Sequence, residues 1–211
     1  MATKLTPEQL EDESRYRLIL KLSYNDIPGF VLRYLSRKNR ITFFFWLSSL
    51  FFLLLAIHPT IEFFSVHPGI QIIALYGFYG LVAFPILLIP VHEGIHALFF
   101  LLAGAKSITV GANFRDMFFY VTAHRSPVRR KDFTRLALAP FVLISAGLWV
   151  VAWMVSGYLS WSLYLTLFAH ATMCAGDFAM LSFYRQYEDR EIITYDDVEE
   201  KAAYFFLEEE G

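Results

Sequence analysis

Apolar residues gather along this chain into four runs, at about 41–57, 69–104, 136–156 and 161–184, and none of the four contains a Lys or Arg. Each is long enough to be read as a membrane span, the first near the lower limit. The second is too long for one simple crossing. As a helix it would reach roughly 50 Å, against a hydrocarbon core of about 30 Å. Pro85 and Pro90 offer breaks within it, and the expected course bends or restarts near Pro90, with residues 92–103 as the last helical section. Pro140 is expected to kink or locally open the third span.

The polar stretches predict smaller elements. Thr6-Pro7-Glu8-Gln9 reads as a helix start, with Thr as cap, Pro in the first turn and Gln three residues on. A short apolar alternation at 18–22 and the punctuation Asn25-Asp26 and Pro28-Gly29 lead into an amphipathic helix through Leu35. Between spans two and three, β-branched and aromatic residues at 107–110 and 117–122 flank Gly111, Asn113 and Asp116, which predicts a hairpin. The fold class expected is an all-α membrane protein of four transmembrane helices with that hairpin-like cytoplasmic connection. The division expected is an interfacial N-terminal segment (1–40), a four-span body (41–185) and an acidic cytoplasmic tail (186–211).

Composition agrees with the pattern. Of 211 residues 56% are hydrophobic, 22 are Phe and only 18% are charged, with a mean hydropathy of +0.45. Charge fixes the orientation: Lys and Arg lie before span one, between spans two and three, and from Arg185 onward, and the other two loops hold none. Positive residues stay on the cytoplasmic side, so both termini are placed in the cytoplasm. Arg33, Arg37, Lys38 and Arg40 form a basic collar suited to anionic lipid, and nothing points to nucleic acid. Charged residues fill the first forty positions, so a removable signal peptide is not expected. Cys174 is the single cysteine, which leaves neither a disulfide framework nor a thiolate zinc site in view.

Chemistry concentrates in Val91-His92-Glu93-Gly94-Ile95-His96-Ala97. On a helix His92 and His96 share a face and can offer two imidazoles to one metal ion, with Glu93 positioned to take a proton from water held there. Three ionisable groups in one turn would each be costly in hydrocarbon without a ligand or partner. A catalytic zinc site wants a third protein ligand, and the intramembrane candidates are His170 and Asp177. Asp177 matches the depth of His96, each roughly 12 Å from the cytoplasmic boundary, whereas His170 lies about 22 Å in. The alternative for Asp177 is a pair with Arg185 or a cap on a local helix break. His170 is read as a hydrogen-bond donor to an oxyanion, as a residue orienting Asp177, as a replacement ligand, or as a structural residue bonding across helices. Gly176 is expected to permit close helix approach. His124 reads as a solvated surface residue, and His58 and His67 lie on the opposite side of the membrane.

With His92-Glu93-Gly94-Ile95-His96, the hairpin after it, Ala137-Leu138-Ala139-Pro140 and Gly176-Asp177, residues from about 85 to 185 resemble intramembrane zinc metalloproteases of the site-2 protease type. The chain looks most like the small four-span putative zincin peptidase family. The resemblance implies Zn2+ held by His92, His96 and Asp177, Glu93 as general base, and a hairpin that holds an unfolded substrate segment by strand addition. The setting of the third ligand differs, since Ala175-Gly176-Asp177-Phe178 stands where the site-2 proteases carry Asn-Pro-Asp-Gly or Leu-Asp-Gly. The function expected is hydrolysis of peptide bonds in a membrane protein or peptide substrate, in or beside the bilayer. Its rivals are a metal-stabilised binding or chaperone module without turnover and a transporter or haem-binding bundle.

Overall fold

A computed structural model describes residues 5–113 and 118–209. The chain runs β1 (Tyr16–Ser23), α1 (Ile27–Leu35), α2 (Arg40–Leu55), α3 (Ile57–Ser65), α4 (Ile70–Phe78), α5 (Phe84–Leu102), β2 (Thr109–Asn113), β3 (Phe118–Thr122) and β4 (Val128–Arg129). It continues with α6 (Arg130–Met154), α7 (Gly157–Met173), α8 (Ala175–Tyr184), β5 (Ile192–Asp197) and β6 (Ala202–Glu208). The structure is mostly helical. Three stretches, Arg40–Ser65, Ile70–Leu102 and Arg130–Met154, are long and apolar enough to cross a membrane. Large apolar side chains on them remain exposed, among them Phe43, Trp46, Leu87, Leu102 and Trp153. Exposure on this scale suits lipid as the surrounding solvent.

The break in the long second run falls elsewhere than expected. A five-residue π-helical turn, Tyr79–Ala83, joins α4 to α5, and α5 then passes Pro90 without interruption. Pro85 explains the position. Phe84 N–H donates to Tyr79 O, and Pro85 has no N–H, so Gly80 O loses its helical donors. Thr166 Oγ1 of α7 lies 3.1 Å from that oxygen, its one proton shared between it and Ser162 O at 2.8 Å. Gly80 is required here, because a Cβ would stand 2.7 Å from Ser162 O and 2.8 Å from Leu165 Cβ. The close helix approach sits at Gly80, whereas Gly176 has open space where a Cβ would go, contrary to expectation. The last apolar run is also divided, with α7 ending at Met173 and α8 starting at Ala175.

Aromatic residues knit the end of the bundle near α3 and the start of α7. Trp161 stacks on Phe63 with ring centroids 4.0 Å apart, and its Nε1 donates to Thr60 Oγ1. At the opposite end, Asn39 accepts from Ile41 N and Thr42 N to cap α2 and donates to Ser182 Oγ, which ties α2 to α8.

The all-α expectation needs correcting. A four-stranded antiparallel sheet of order β1-β6-β5-β4 joins the N-terminal segment to the expected tail. Tyr16 pairs with Glu208 and Ser23 with Ala202, while β5 pairs with β6 from Ile192↔Leu207 to Asp197↔Ala202. Ile192, Phe205 and Leu207 pack with Leu22, Phe30 and Phe183, so the sheet sits on α1 and α8. Acidic residues around these strands masked their β-branched and aromatic content. The expected hairpin is present as β2 and β3, with Thr109 opposite Thr122. Asp116 and Met117, invoked for its turn, lie outside the described residues. Gly111 is covered by the Tyr120 ring, which leaves no room for a Cβ.

Candidate metal centre

His92 and His96 lie one turn apart on α5 and are both buried. Asp177 reaches them from the first turn of α8, where the helix dipole favours a carboxylate. The helix break at Cys174 creates that first turn. His92 Nε2 and His96 Nε2 are 3.1 Å apart, and each stands against an Asp177 oxygen, at 3.4 and 3.3 Å. Arg185, the partner considered for Asp177, pairs with Glu188 instead.

These three edges suit a cation. Ligand atoms about 2.0–2.1 Å from a tetrahedral zinc ion lie roughly 3.3 Å from one another. Two imidazole nitrogens and a carboxylate are also the donor types zinc takes in catalytic sites. The residues present therefore fit the metal, with His92, His96 and Asp177 as the donors.

The backing of the two histidines differs. His96 Nδ1 lies 3.2 Å from Leu136 O and donates to it, leaving Nε2 with its lone pair toward Asp177. Leu136 O can accept because its helical donor would be residue 140, and Pro140 has no N–H. The expected opening of α6 at Pro140 is thus a free carbonyl inside a continuous helix. His92 Nδ1, by contrast, is buried and without a hydrogen-bond partner among the described residues.

Glu93 lies beside the donor set, interacting electrostatically with His96, His92 and Asp177, and the backbone N–H of Val121 on β3 faces its carboxylate. Its Oε2 is buried and without a hydrogen-bond partner among the described residues. An acceptor held dry beside a metal set is suited to receive a proton. The next residue on β3, Thr122, donates to Asp196 Oδ2 at 2.6 Å, and Tyr24 OH donates to Asp196 Oδ1 at 3.3 Å. Burial pushes the Asp196 carboxyl up from its ordinary value. The hairpin beside Glu93 is in this way tied to the terminal sheet, a link carried by long-range pairing and unreadable from local sequence.

His170 is fully buried on α7. Its Nδ1 lies 3.5 Å from Ser145 Oγ and its Nε2 3.9 Å from Cys174 Sγ, and its ring centroid is 5.7 Å from that of His92. It therefore stands behind His92, outside the set formed with His96 and Asp177. His124 is not the solvated residue expected, since it is half-buried and its Nδ1 accepts from Val198 N at 3.2 Å. His58 faces Glu62 on α3, far along the chain from the centre.

A protein-family model described as "putative zincin peptidase" matches residues 85–191, which is 107 of the 211 residues. Searches of curated proteins and of solved structures find no match.

Proposed function

The chain belongs to the putative zincin peptidase family, and from that premise we propose that it is a zinc metallopeptidase hydrolysing peptide bonds within or beside the membrane. The observation that carries the reading is the triangle of His92, His96 and Asp177 with the unpartnered Glu93 oxygen next to it. Bound zinc supplies Lewis acidity, which polarises a carbonyl and makes water acidic enough to lose a proton near neutral pH. The protein's residues do the rest. Glu93 takes a proton from the attacking water as its oxygen bonds to the carbonyl carbon, then hands it to the amide nitrogen as the C–N bond breaks. His170, its ring 5.7 Å from that of His92 and its nitrogens toward Ser145 and Cys174, takes no part in these proton transfers. The β2–β3 hairpin offers strand edges for an extended peptide, and a helical substrate would have to unwind to expose its carbonyls.

The membrane body is read as four crossings with both termini cytoplasmic, α7 and α8 together making the fourth. Lys38 and Arg40, beside the exposed Leu32, Phe43 and Trp46, suit an anionic lipid with its chains against the apolar surface.

Glu93→Gln tests the reading. The variant is expected to bind zinc as wild type does while membrane substrates accumulate in cells, measured by comparative membrane proteomics. His92→Ala and Asp177→Ala are expected to lose the metal itself. Identical proteomes from wild type and Glu93→Gln, with zinc retained in both, would leave the non-catalytic metal module as the better reading.

A further inference from the structure

We propose that His92, His170 and Cys174 form a second cation site, thiolate-containing and deeper than the first, for a thiophilic d-block ion such as Zn2+, Co2+ or Cu+. One ligand atom from each of these three residues lies within 4.8 Å of the others. All three residues are buried, His170 and Cys174 completely. The Sγ–Nε2 separation of 3.9 Å is close to the roughly 3.6–3.8 Å expected when Zn–S is about 2.3 Å and Zn–N about 2.0–2.1 Å.

The second observation is the orphaned nitrogen. A zinc-binding imidazole ordinarily gives its other ring nitrogen to a carboxylate, carbonyl or water. His96 does so through Leu136 O, and His92 does not. The Nε2 of His92 is taken by the first set, so Nδ1 is the atom left for the second. An ion held by His170 and Cys174 would occupy the place where the backing partner of His92 is missing.

The surroundings suit those two donors. Ser145 Oγ faces His170 Nδ1, which leaves Nε2 as the coordinating nitrogen. Cys174 lies at the junction of α7 and α8, one turn after His170, which sets its sulfur beside that ring. Its thiol now meets His170 O at 3.4 Å; on ligation the thiol proton and the remaining ring proton of His92 leave for solvent as the S–metal and Nδ1–metal bonds form, so that His92 would bridge the two ions as an imidazolate. A sulfur and two imidazoles select soft and borderline cations over Mg2+ or Ca2+.

Cobalt distinguishes this site from the first, because only a thiolate ligand gives sulfur-to-cobalt charge-transfer absorption in the near ultraviolet. The full-length metal-free protein in detergent is titrated with Co2+. The expected result is a charge-transfer band in wild type that is lost in Cys174→Ser and kept in Asp177→Ala. Absence of the band in wild type at saturating cobalt overturns the proposal. So does its loss in Asp177→Ala, since the sulfur would then belong with the first set of donors. Neither result removes His96 or Asp177 as a donor of the first set, so failure here is separable from failure of the peptidase reading.

Discussion

A proline inside a helix leaves the carbonyl four residues before it without its usual donor, and in α6 that carbonyl belongs to Leu136, the partner of His96 Nδ1. Pro140→Ala restores an N–H that competes for the oxygen. Losing such a backing contact typically costs 10–100-fold in metal affinity, and about the lower end is expected because a carbonyl can accept twice. Chelator competition on the purified protein measures it, and an affinity equal to wild type would deny Pro140 this role. Another residue-scale prediction concerns Asp197 at the β5–β6 turn. Burial alone would raise its carboxyl, but the N–H groups of Glu200 and Glu199 and the Arg125 guanidinium hold it below its ordinary value. A depressed carboxylate contributes stability at pH above its unfolded value, about 3.9, and that stability is lost as pH falls through the lower folded value. Asp197→Asn is therefore expected to unfold at lower temperature near neutral pH, with the difference from wild type shrinking below about pH 4 in thermal melts.

The elements differ in how plainly the sequence announces them. The long helices were legible because apolar residues in lipid need no face to be hidden, and the β2–β3 hairpin was legible from its β-branched runs. The break between α4 and α5 was misplaced because Pro85 and Pro90 look alike locally, and the π-helical turn that decides between them depends on Thr166 and Ser162 of α7. The grouping of His92, His96 and Asp177 was readable for a simpler reason: helix periodicity pairs His92 with His96, and equal depth selects Asp177. The backing of that group was not readable, since the Leu136 oxygen that holds His96 comes from a chain-distant helix. The contact of the π-helical turn with α7 gives a prediction of its own. Gly80→Ala forces a methyl against the Ser162 carbonyl and is expected to destabilise by roughly 1–3 kcal/mol, whereas Gly77→Ala, 3.6 Å from Trp161, is expected to be tolerated. Thermal unfolding in detergent compares the two. Equal melting temperatures would mean that α7 can shift to make room.

For the molecule as a whole, the terminal sheet constrains the number of crossings. β1 precedes every long helix, β4 lies between α5 and α6, β5 and β6 follow α8, and hydrogen-bonded strands must share one side of a membrane. A membrane-spanning chain with this sheet would cross an even number of times between β1 and β4, and again between β4 and β5. The proposed four crossings meet that parity, with the α2–α3 and α4–α5 units as two, α6 as a third, and α7 with α8 as the return. Residues 157–184 reach roughly 40 Å as helix, enough for a core of about 30 Å despite the break at Cys174. The 18 Lys and Arg obey the same division, because none falls between 41 and 105 or between 136 and 184. Engineered cysteines test it, and the native Cys174 is too buried to interfere with labelling. In intact cells an impermeant maleimide is expected to label Glu62→Cys, on the exposed face of α3, and to spare Lys106→Cys and Glu199→Cys. In inside-out vesicles the pattern is expected to reverse. Labelling of Glu62→Cys and Lys106→Cys from the same side would remove a crossing and with it the cytoplasmic placement of both the sheet and the hairpin beside Glu93.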